Sequence, residues 1–426
     1  MKPTHSLYLS YDGLTDPLGQ SQILPYILGL DSLGIHFHII SFEKKSNFKK
    51  AHQIIEGQIY NRNISWHALT YRKNPPVLST ILDVIRLRKK VHRLIKSEKI
   101  NIIHCRSYIT ALIGLWAKRE YNIPFIFDMR GFWADERVEG GLWSLKNPVY
   151  RTIYNYFKKK EKQFFQESDQ IISLTENAKT EIISWKLQNV SEEKIIVIPC
   201  CSDIDIFNPG GIAPAKKEKL KGELDIKSNQ FTLMYLGSLG TWYMLDHMLL
   251  FFEKLVEKKQ DAVFLFLTKE KELLNQKLES GGWRIENEAT GNRQFFKKNI
   301  SRIICTSVSR EEVPKYLAIS DATISFIKPS FSKKASSATK IGESLSMNKP
   351  VVVNTGWGDI SLYLDKTNCL IPLDASDNDS LKNGVQNLLD SVKSVKNEPR
   401  DFTSKFLSLE VGKNAYLKVY QKVLGK

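Results

Sequence analysis

A chain of 426 residues, 42% hydrophobic and 25% charged, has the composition of a soluble globular protein and is too long for one ordinary core, so two domains are expected. Its formal net charge of +16 at pH 7 points to an anionic partner: nucleic acid, an anionic membrane surface or a phosphorylated substrate. The five cysteines (Cys105, Cys200, Cys201, Cys305, Cys369) contain no C-x-x-C pair, which argues against a zinc or redox motif and for a reducing compartment.

The N-terminus, Met1-Lys2-Pro3-Thr4-His5, runs into a short apolar strand without the apolar length of a signal peptide. No stretch approaches the length of a membrane span, so a cytoplasmic protein is expected. Leu7 to Tyr11 reads as a first strand, Asp12 to Ser21 as a loop and Gln22 to Leu33 as a helix. Strands at Phe37–Ile40, Ile64–Leu69, Ile102–Cys105, Phe125–Asp128, Gln170–Leu174 and Ile195–Ile198 alternate with helices at Val77–Ile95, Thr110–Arg119, Val149–Gln166 and Asn177–Trp185. A long loop follows Asp128. Such alternation predicts a mostly parallel sheet with helices on both faces.

Pro199 to Lys227, rich in proline, glycine and lysine, reads as a linker. The alternation restarts at Phe231–Leu236. Further strands are expected at Ala262–Leu267, Ile303–Cys305, Ala322–Phe326, Val351–Val353 and Cys369–Ile371. Ser309-Arg310-Glu311-Glu312 has the form of a capping box opening the helix that carries Val313, Tyr316 and Leu317. Val411 to Leu424 is expected to be a helix with Tyr416, Val419, Tyr420 and Val423 on one face. Two similar α/β halves predict ligand at the carboxyl ends of the strands.

The densest chemical signal is Ser336-Ser337-Ala338-Thr339-Lys340-Ile341-Gly342-Glu343. Small N-cap residues at Ser336 and Ser337 predict a helix start whose free N–H groups and positive dipole end face an anion. Lys340 in the first turn opposes that dipole and costs stability unless an anion is bound. Glu343 lies one turn beyond Thr339 and is placed to accept hydrogen bonds from ribose hydroxyls. In the loop after Leu236, Gly237-Ser238-Leu239-Gly240-Thr241-Trp242, backbone N–H groups are expected to cup a phosphate, with Lys328, Lys333, Lys334 and Lys340 supplying charge. Asp128 to Arg137 gathers two arginines beyond a buried strand, together with the acids Asp128, Asp135 and Glu136 and the aromatics Phe132 and Trp133. The strings Asp203-Ile204-Asp205 and Asp377-Asn378-Asp379 fall in a linker and a polar loop, and no bound metal is expected. Two basic amphipathic helices, one with Arg86 to Lys96 and one with Lys158 to Lys160, favour a membrane surface. No nucleic-acid-binding module is present in the sequence, so no nucleic acid is expected as partner.

The run from Ser337 through Lys340 and Glu343 to Pro350-Val351 resembles the donor signature S-x-x-K-x-x-E of retaining glycosyltransferases of family 4, in their bacterial surface-polysaccharide branch. Asp128-Met129-Arg130-Gly131-Phe132-Trp133-Ala134-Asp135-Glu136-Arg137 and the upstream His104-Cys105-Arg106-Ser107-Tyr108 resemble companion stretches of that branch, and Gly19-Gln20-Ser21 resembles its first-domain loop. The resemblance implies an α/β chain of the GT-B fold, with two Rossmann-like domains facing across a cleft. Residues 1–205, completed by a C-terminal helix over 409–426 that crosses back, form the acceptor domain; 206–408 form the donor domain. It implies a hexosyltransferase-like transfer, without metal or cofactor, from a nucleotide-sugar donor to a lipid-linked saccharide acceptor in polysaccharide (capsule or O-antigen) biosynthesis. The enzyme would sit peripherally on the inner face of the plasma membrane. Carried over residue by residue, catalysis falls to Asp128, Arg130, Asp135 and Glu136. Donor binding falls to Gly19, Gly237, Ser238, Lys328, Ser337, Thr339, Lys340 and Glu343, with Arg106 and Trp133 on the acceptor side. The sequence departs from the family pattern where Ala335 stands in place of a second acid, where Ser238 replaces a cation, and where no His follows Asp128. The alternatives are a sugar-nucleotide 2-epimerase of the same fold and a non-catalytic basic protein that binds membrane surfaces.

Overall fold

The computed structural model describes residues 4–280, 300–394 and 397–425. The chain separates into two compact units, one of residues 1–200, 331–337 and 409–426 and one of residues 201–330 and 338–408.

In the first unit, runs of β-branched and aromatic residues form seven strands: β1 (Thr4–Ser10), β2 (Ile35–Glu43), β3 (Ile64–Thr70), β4 (Ile102–Arg106), β5 (Phe125–Asp128), β6 (Gln170–Ser173) and β7 (Ile195–Val197). They pair in parallel in the order β3-β2-β1-β4-β5-β6-β7. Leu9 of β1 is flanked by Ile40 of β2 and Cys105 of β4, and all three are fully buried. Such near-continuous burial is what a parallel sheet covered by helices on both faces requires. The strand order reverses beside β1, so the carboxyl ends of β1 and β4 form the switch point where ligands of open α/β sheets bind. The C-terminal helix Leu409–Val423 belongs to this unit, and buries Gly412, Tyr416, Val419 and Tyr420 on one face.

The second unit repeats the plan with β8 (Thr232–Leu236), β9 (Val263–Leu267), β10 (Ile303–Thr306), β11 (Ala322–Ser325), β12 (Val351–Asn354) and β13 (Leu370–Leu373). They are parallel, in the order β10-β9-β8-β11-β12-β13, with the switch point between β8 and β11.

Several local expectations differ from what forms, and proline explains most of them. The first expected helix is two: Pro17–Gln22, inside the expected loop, and Leu24–Asp31, separated by the non-helical Ile23, each with a proline in its first turn. The expected linker carries a 3-10 turn at Pro209–Gly211 and a helix, Pro214–Glu223, again opened by proline. The long loop after β5 contains the helix Trp133–Glu139. The expected capping box does not cap: Arg310–Glu312 is a 3-10 turn, and the helix Val313–Ile319 starts beyond it, with Pro314 in its first turn. Ser336 and Ser337 do not cap the signature helix either. That helix spans Thr339–Ser346 and its N-cap is Ala338, without a side-chain cap. Ser336 and Ser337 lie in the segment that packs with the first unit, where Ser337 Oγ accepts the Cys200 N–H at 3.0 Å.

Candidate active site

At the switch point of the second sheet, β8 runs into Gly237, whose φ of +121° lies in the region that favours glycine. A Cβ there would come within 3.2 Å of Lys340 Nζ, so the missing side chain leaves room for the lysine. Lys340, in the first turn of Thr339–Ser346, places its ammonium 3.2 Å from Tyr235 Oη and over the rings of Tyr235 and Tyr243, 4.4 and 3.9 Å from their centroids. Burial pushes its pKa down to about 7, with Glu343 acting in the other direction. A depressed lysine at the N-terminus of a helix without a side-chain cap is the arrangement an incoming phosphate would recharge and hold.

Glu343, on the same helix, is buried, and its Oε1 accepts from Arg310 Nη1 at 2.9 Å. Sequence reasoning missed Arg310 because it was assigned to a cap; its signal is a lone arginine after β10 in a turn that faces the signature helix. The loop amides also differ from expectation. The N–H groups of Leu239 and Gly240 both donate to Glu270 Oε2, at 2.7 and 3.2 Å, and the Gly237 N–H donates to Leu267 O at 3.0 Å. Glu270 therefore clasps the loop expected to cup a phosphate. Ser238 is exposed, with its carbonyl accepting from Tyr235 Oη; Lys328 is exposed, with its N–H donating to Trp242 O at 2.8 Å. Thr339 is half-buried at the helix start.

At the switch point of the first sheet a buried charge network forms. Asp128, at the end of β5, is fully buried. Its Oδ2 accepts from Tyr416 Oη at 3.0 Å and lies 3.5 Å from His104 Nε2 and 3.9 Å from Arg106 Nη1; its Oδ1 lies 3.8 Å from Arg130 Nη1. Burial alone would raise its pKa, but Arg130, His104 and Arg106 outweigh it and hold the carboxyl below its ordinary value. Burial pushes His104 down, toward the neutral imidazole, and its Nδ1 lies 2.9 Å from Tyr420 Oη. Arg130 adopts φ +58°, a left-handed conformation rare outside glycine, followed by Gly131 at φ +133°. This sharp turn brings its guanidinium back to Gln22 Oε1 and Cys200 Sγ. Strain of this kind, held by surrounding structure, is a pointer to function. Arg106, only 2% exposed, keeps Nε and Nη1 without a hydrogen-bond partner among the described residues; its nearest acid at Nε is Asp12 Oδ2, 3.7 Å away.

The remaining expected residues serve packing as well as any chemistry. Gly19 lies in Pro17–Gln22, where a Cβ would fall 2.1 Å from Gly13 O, so the helix can seat on the loop only with glycine there. Asp135 is buried and accepts from Tyr154 Oη and Lys158 Nζ, both at 2.8 Å. Glu136 Oε1 pairs with Lys333 Nζ at 2.6 Å. Trp133 is half-buried among Trp143, Phe157 and Tyr108. Glu139, which sequence reasoning did not single out, accepts the N–H groups of Phe331 and Ser332, and so fastens the 331–337 segment within the first unit. Ala335 is buried in that unit's core, where an acid would have no place.

Among the described residues no cluster of three or more His, Cys, Asp or Glu is arranged to hold a metal ion, and no helix is long and apolar enough to cross a membrane. Residues 26–206 match the family model Glycosyltransferase Family 4. The comparison with curated proteins returned no match. Among solved structures, a glycosyltransferase from Rickettsia africae is similar at TM-score 0.73 and 18% identity, covering 100% of this chain and 99% of the other. Anabaena Alr3699/HepE, solved in complex with UDP and glucose, is similar at TM-score 0.67 and 12% identity, covering 98% and 99%. Sucrose-phosphate synthase from Thermosynechococcus elongatus is similar at TM-score 0.69 and 11% identity, covering 99% of each chain. Residues 26–206 are thus similar to glycosyltransferase family 4, and the two parallel Rossmann-like sheets of the chain are those of the GT-B fold.

Proposed function

We propose that the protein is a retaining glycosyltransferase that moves a sugar from a nucleoside-diphosphate sugar to a lipid-linked saccharide in bacterial surface-polysaccharide assembly. It would work without metal, peripherally on the inner face of the plasma membrane. The observation that carries this reading is Lys340: a depressed, ring-sandwiched lysine at a helix start, one turn from Glu343, at the switch point of a Rossmann-like sheet. The complex of the HepE relative with UDP and glucose supports the donor class. The net charge of +16 and the two basic helices support the membrane partner.

In this reading the second unit holds the donor. Glu343, set by Arg310, takes the ribose hydroxyls. Lys340 and the first N–H groups of Thr339–Ser346 take the diphosphate. The bond between the anomeric carbon and the β-phosphate oxygen breaks, the leaving diphosphate keeps the electron pair, and Lys340 stabilises its charge. Gly237, Ser238, Lys328 and Thr339 flank this group in the second unit; Gly19 and Ser337 are the donor-binding candidates of the first unit.

The first unit carries the acceptor side. Asp128, because of its burial, acts by holding Arg130 and Arg106 in register, and Arg130 takes the role of contacting the transferred sugar. Asp135, Glu136 and Trp133 keep the loop beyond β5 in place for the acceptor hydroxyl, which attacks the anomeric carbon on the face the diphosphate leaves and gives up its proton to the departing diphosphate oxygen. The test is a mass-spectrometric screen of nucleotide sugars against lipid-linked saccharides. A saccharide heavier by one sugar, with free nucleoside diphosphate, is expected. Nucleoside-diphosphate binding with no transfer from any donor would instead identify a non-catalytic binding protein.

A further inference from the structure

The first unit leaves a stripe of aliphatic side chains in water. On the helix Leu78–Ser97, Leu78, Ile81, Leu82 and Ile85 are 52%, 51%, 41% and 46% exposed. Their i, i+3, i+4, i+7 spacing puts them on one face, while Leu87, Val91 and Leu94 bury the other. A second exposed apolar group, Leu142, Leu145 and Val149, lies just before and at the start of the helix Pro148–Glu167. The two groups lie toward the same end of the first sheet, the carboxyl end of its strands. Leu78–Ser97 follows β3 and the 142–149 segment follows the loop from β5, so both sit where parallel strands end; Tyr11, just past β1, donates to Asp83 of the first helix at 3.2 Å. Single exposed leucines are ordinary, but two groups at the same end of one sheet mark an interaction surface.

Charge says what kind. Between residues 71 and 97 the sole acid is Asp83, which is buried and paired with Arg86 at 3.0 Å; the exposed cations there include Arg72, Lys73, Arg88 and Lys89. Between 140 and 160 there is no acid, against the exposed Lys146, Arg151 and Lys159. Trp143 is wedged against Trp133 and stacked on Tyr150, an amphipathic pair of the sort that sits at the headgroup level of a bilayer. Apolar groups bordered by cations, with no exposed acid within residues 71–97 or 140–160, match an anionic lipid surface, with aliphatic side chains in the acyl boundary and cations among the headgroups.

We infer that the carboxyl end of the first unit's sheet carries a lipid-insertion surface made of two parts, the Leu78–Ile85 stripe and the Leu142–Val149 segment. The inference rests on the membrane partner proposed above and gives that partner its contact residues. Binding therefore has an apolar component that salt does not screen, besides the cationic one that it does.

The experiment is sedimentation with phosphatidylcholine vesicles with and without phosphatidylglycerol. It compares wild type, Ile81→Asp with Ile85→Asp, Leu142→Asp with Leu145→Asp, and Arg88→Glu with Lys89→Glu. Each apolar pair is expected to lower partitioning onto phosphatidylglycerol vesicles by about tenfold even at low salt. The charge pair should remove mainly the phosphatidylglycerol dependence. Wild-type partitioning by both apolar variants would overturn the surface. So would a wild-type dimer that either apolar variant dissociates, which would give the face to a second copy of the chain. A readout that needs no folded aspartate variant is quenching of the wild-type protein by acyl-brominated vesicles. A clear drop in quenching for Trp143→Phe is expected, and none would overturn the second segment. Nucleoside-diphosphate calorimetry on the same variants reads the donor site separately. Should vesicle binding fail to depend on these residues while nucleotide binding stands, the transferase reading survives and this surface does not.

Discussion

Arg310 Nη1 lies 2.9 Å from Glu343 Oε1, and Glu343 is 3% exposed while the Arg310 side chain is 28% exposed. A carboxylate so buried needs a partner, and the arginine fixes which way it faces. Glu343→Ala is therefore expected to weaken nucleoside-diphosphate binding by about 1–3 kcal/mol through a lost charged hydrogen bond. Arg310→Ala strands the carboxylate instead, and should lower both nucleotide affinity and the melting temperature. Calorimetry that finds wild-type affinity in both variants would remove the pair from the donor site.

Lys340 gives the proposed donor site a pH dependence of stated sign. Its pKa in the folded chain is about 7, against an ordinary 10.5. Between those values the unfolded chain holds a proton the folded chain lacks, so this group's contribution to stability grows as pH rises through the window and is lost as pH falls toward 7. A bound diphosphate works the other way, because it favours the charged lysine. Nucleoside-diphosphate affinity should fall as pH is raised from about 6.5 to about 9, with proton uptake on binding above about pH 7. Calorimetry in buffers of different ionisation enthalpy measures that uptake. Lys340→Met should weaken binding and flatten the profile; an unchanged profile in that variant would assign the titration to another group.

Removal of divalent metal should leave transfer intact. The charge on a leaving diphosphate would be met by Lys340 and helix N–H groups rather than by an ion. Turnover in excess EDTA is the measurement. Loss of activity that Mn²⁺ or Mg²⁺ restores would overturn the metal-free mechanism.

How much of this was legible in the sequence follows the range of each interaction. The strands were legible because residues such as Val351-Val352-Val353 are buried on both faces and carry no ambiguity of period. That Lys340 and Glu343 share one helix was legible because they lie three residues apart in a helical stretch. The cap was misread because Ser337 serves Cys200, 137 residues away, rather than its own helix. The Glu270 clasp on Leu239 and Gly240 comes from the loop after another strand. The Asp128 network is closed by Tyr416, which is 288 residues distant and looked in sequence like one more apolar-face residue of the last helix. Local pattern reports what a segment buries; it does not report which partner a buried polar atom will meet.

The loop beyond β5 yields the sharpest test of the acceptor side. Asp128 is sealed from solvent, so its effect on chemistry must pass through the cations it holds, above all Arg130 in its left-handed turn. The nucleotide is assigned to the second unit, so these residues should matter as the transition state forms and not for ground-state nucleotide binding. Asp128→Asn and Arg130→Ala are each expected to cut turnover by at least about tenfold, near 1.4 kcal/mol of barrier. Nucleoside-diphosphate affinity should stay within about twofold. The two variants should separate on stability. Asp128→Asn leaves Arg106 and Arg130 buried without their anion and is expected to cost about 3–5 kcal/mol of folding free energy. Tyr416→Phe, which removes one hydrogen bond to the same carboxylate, should cost about 1–2 kcal/mol and lower turnover less. Single-turnover transfer, nucleotide calorimetry and thermal melts on the same preparations, below the melting range of the weakest variant, give all three numbers. Wild-type turnover in Arg130→Ala, with Asp128→Asn destabilised but equally active per folded molecule, would make the network a scaffold and move the acceptor chemistry elsewhere in the first unit.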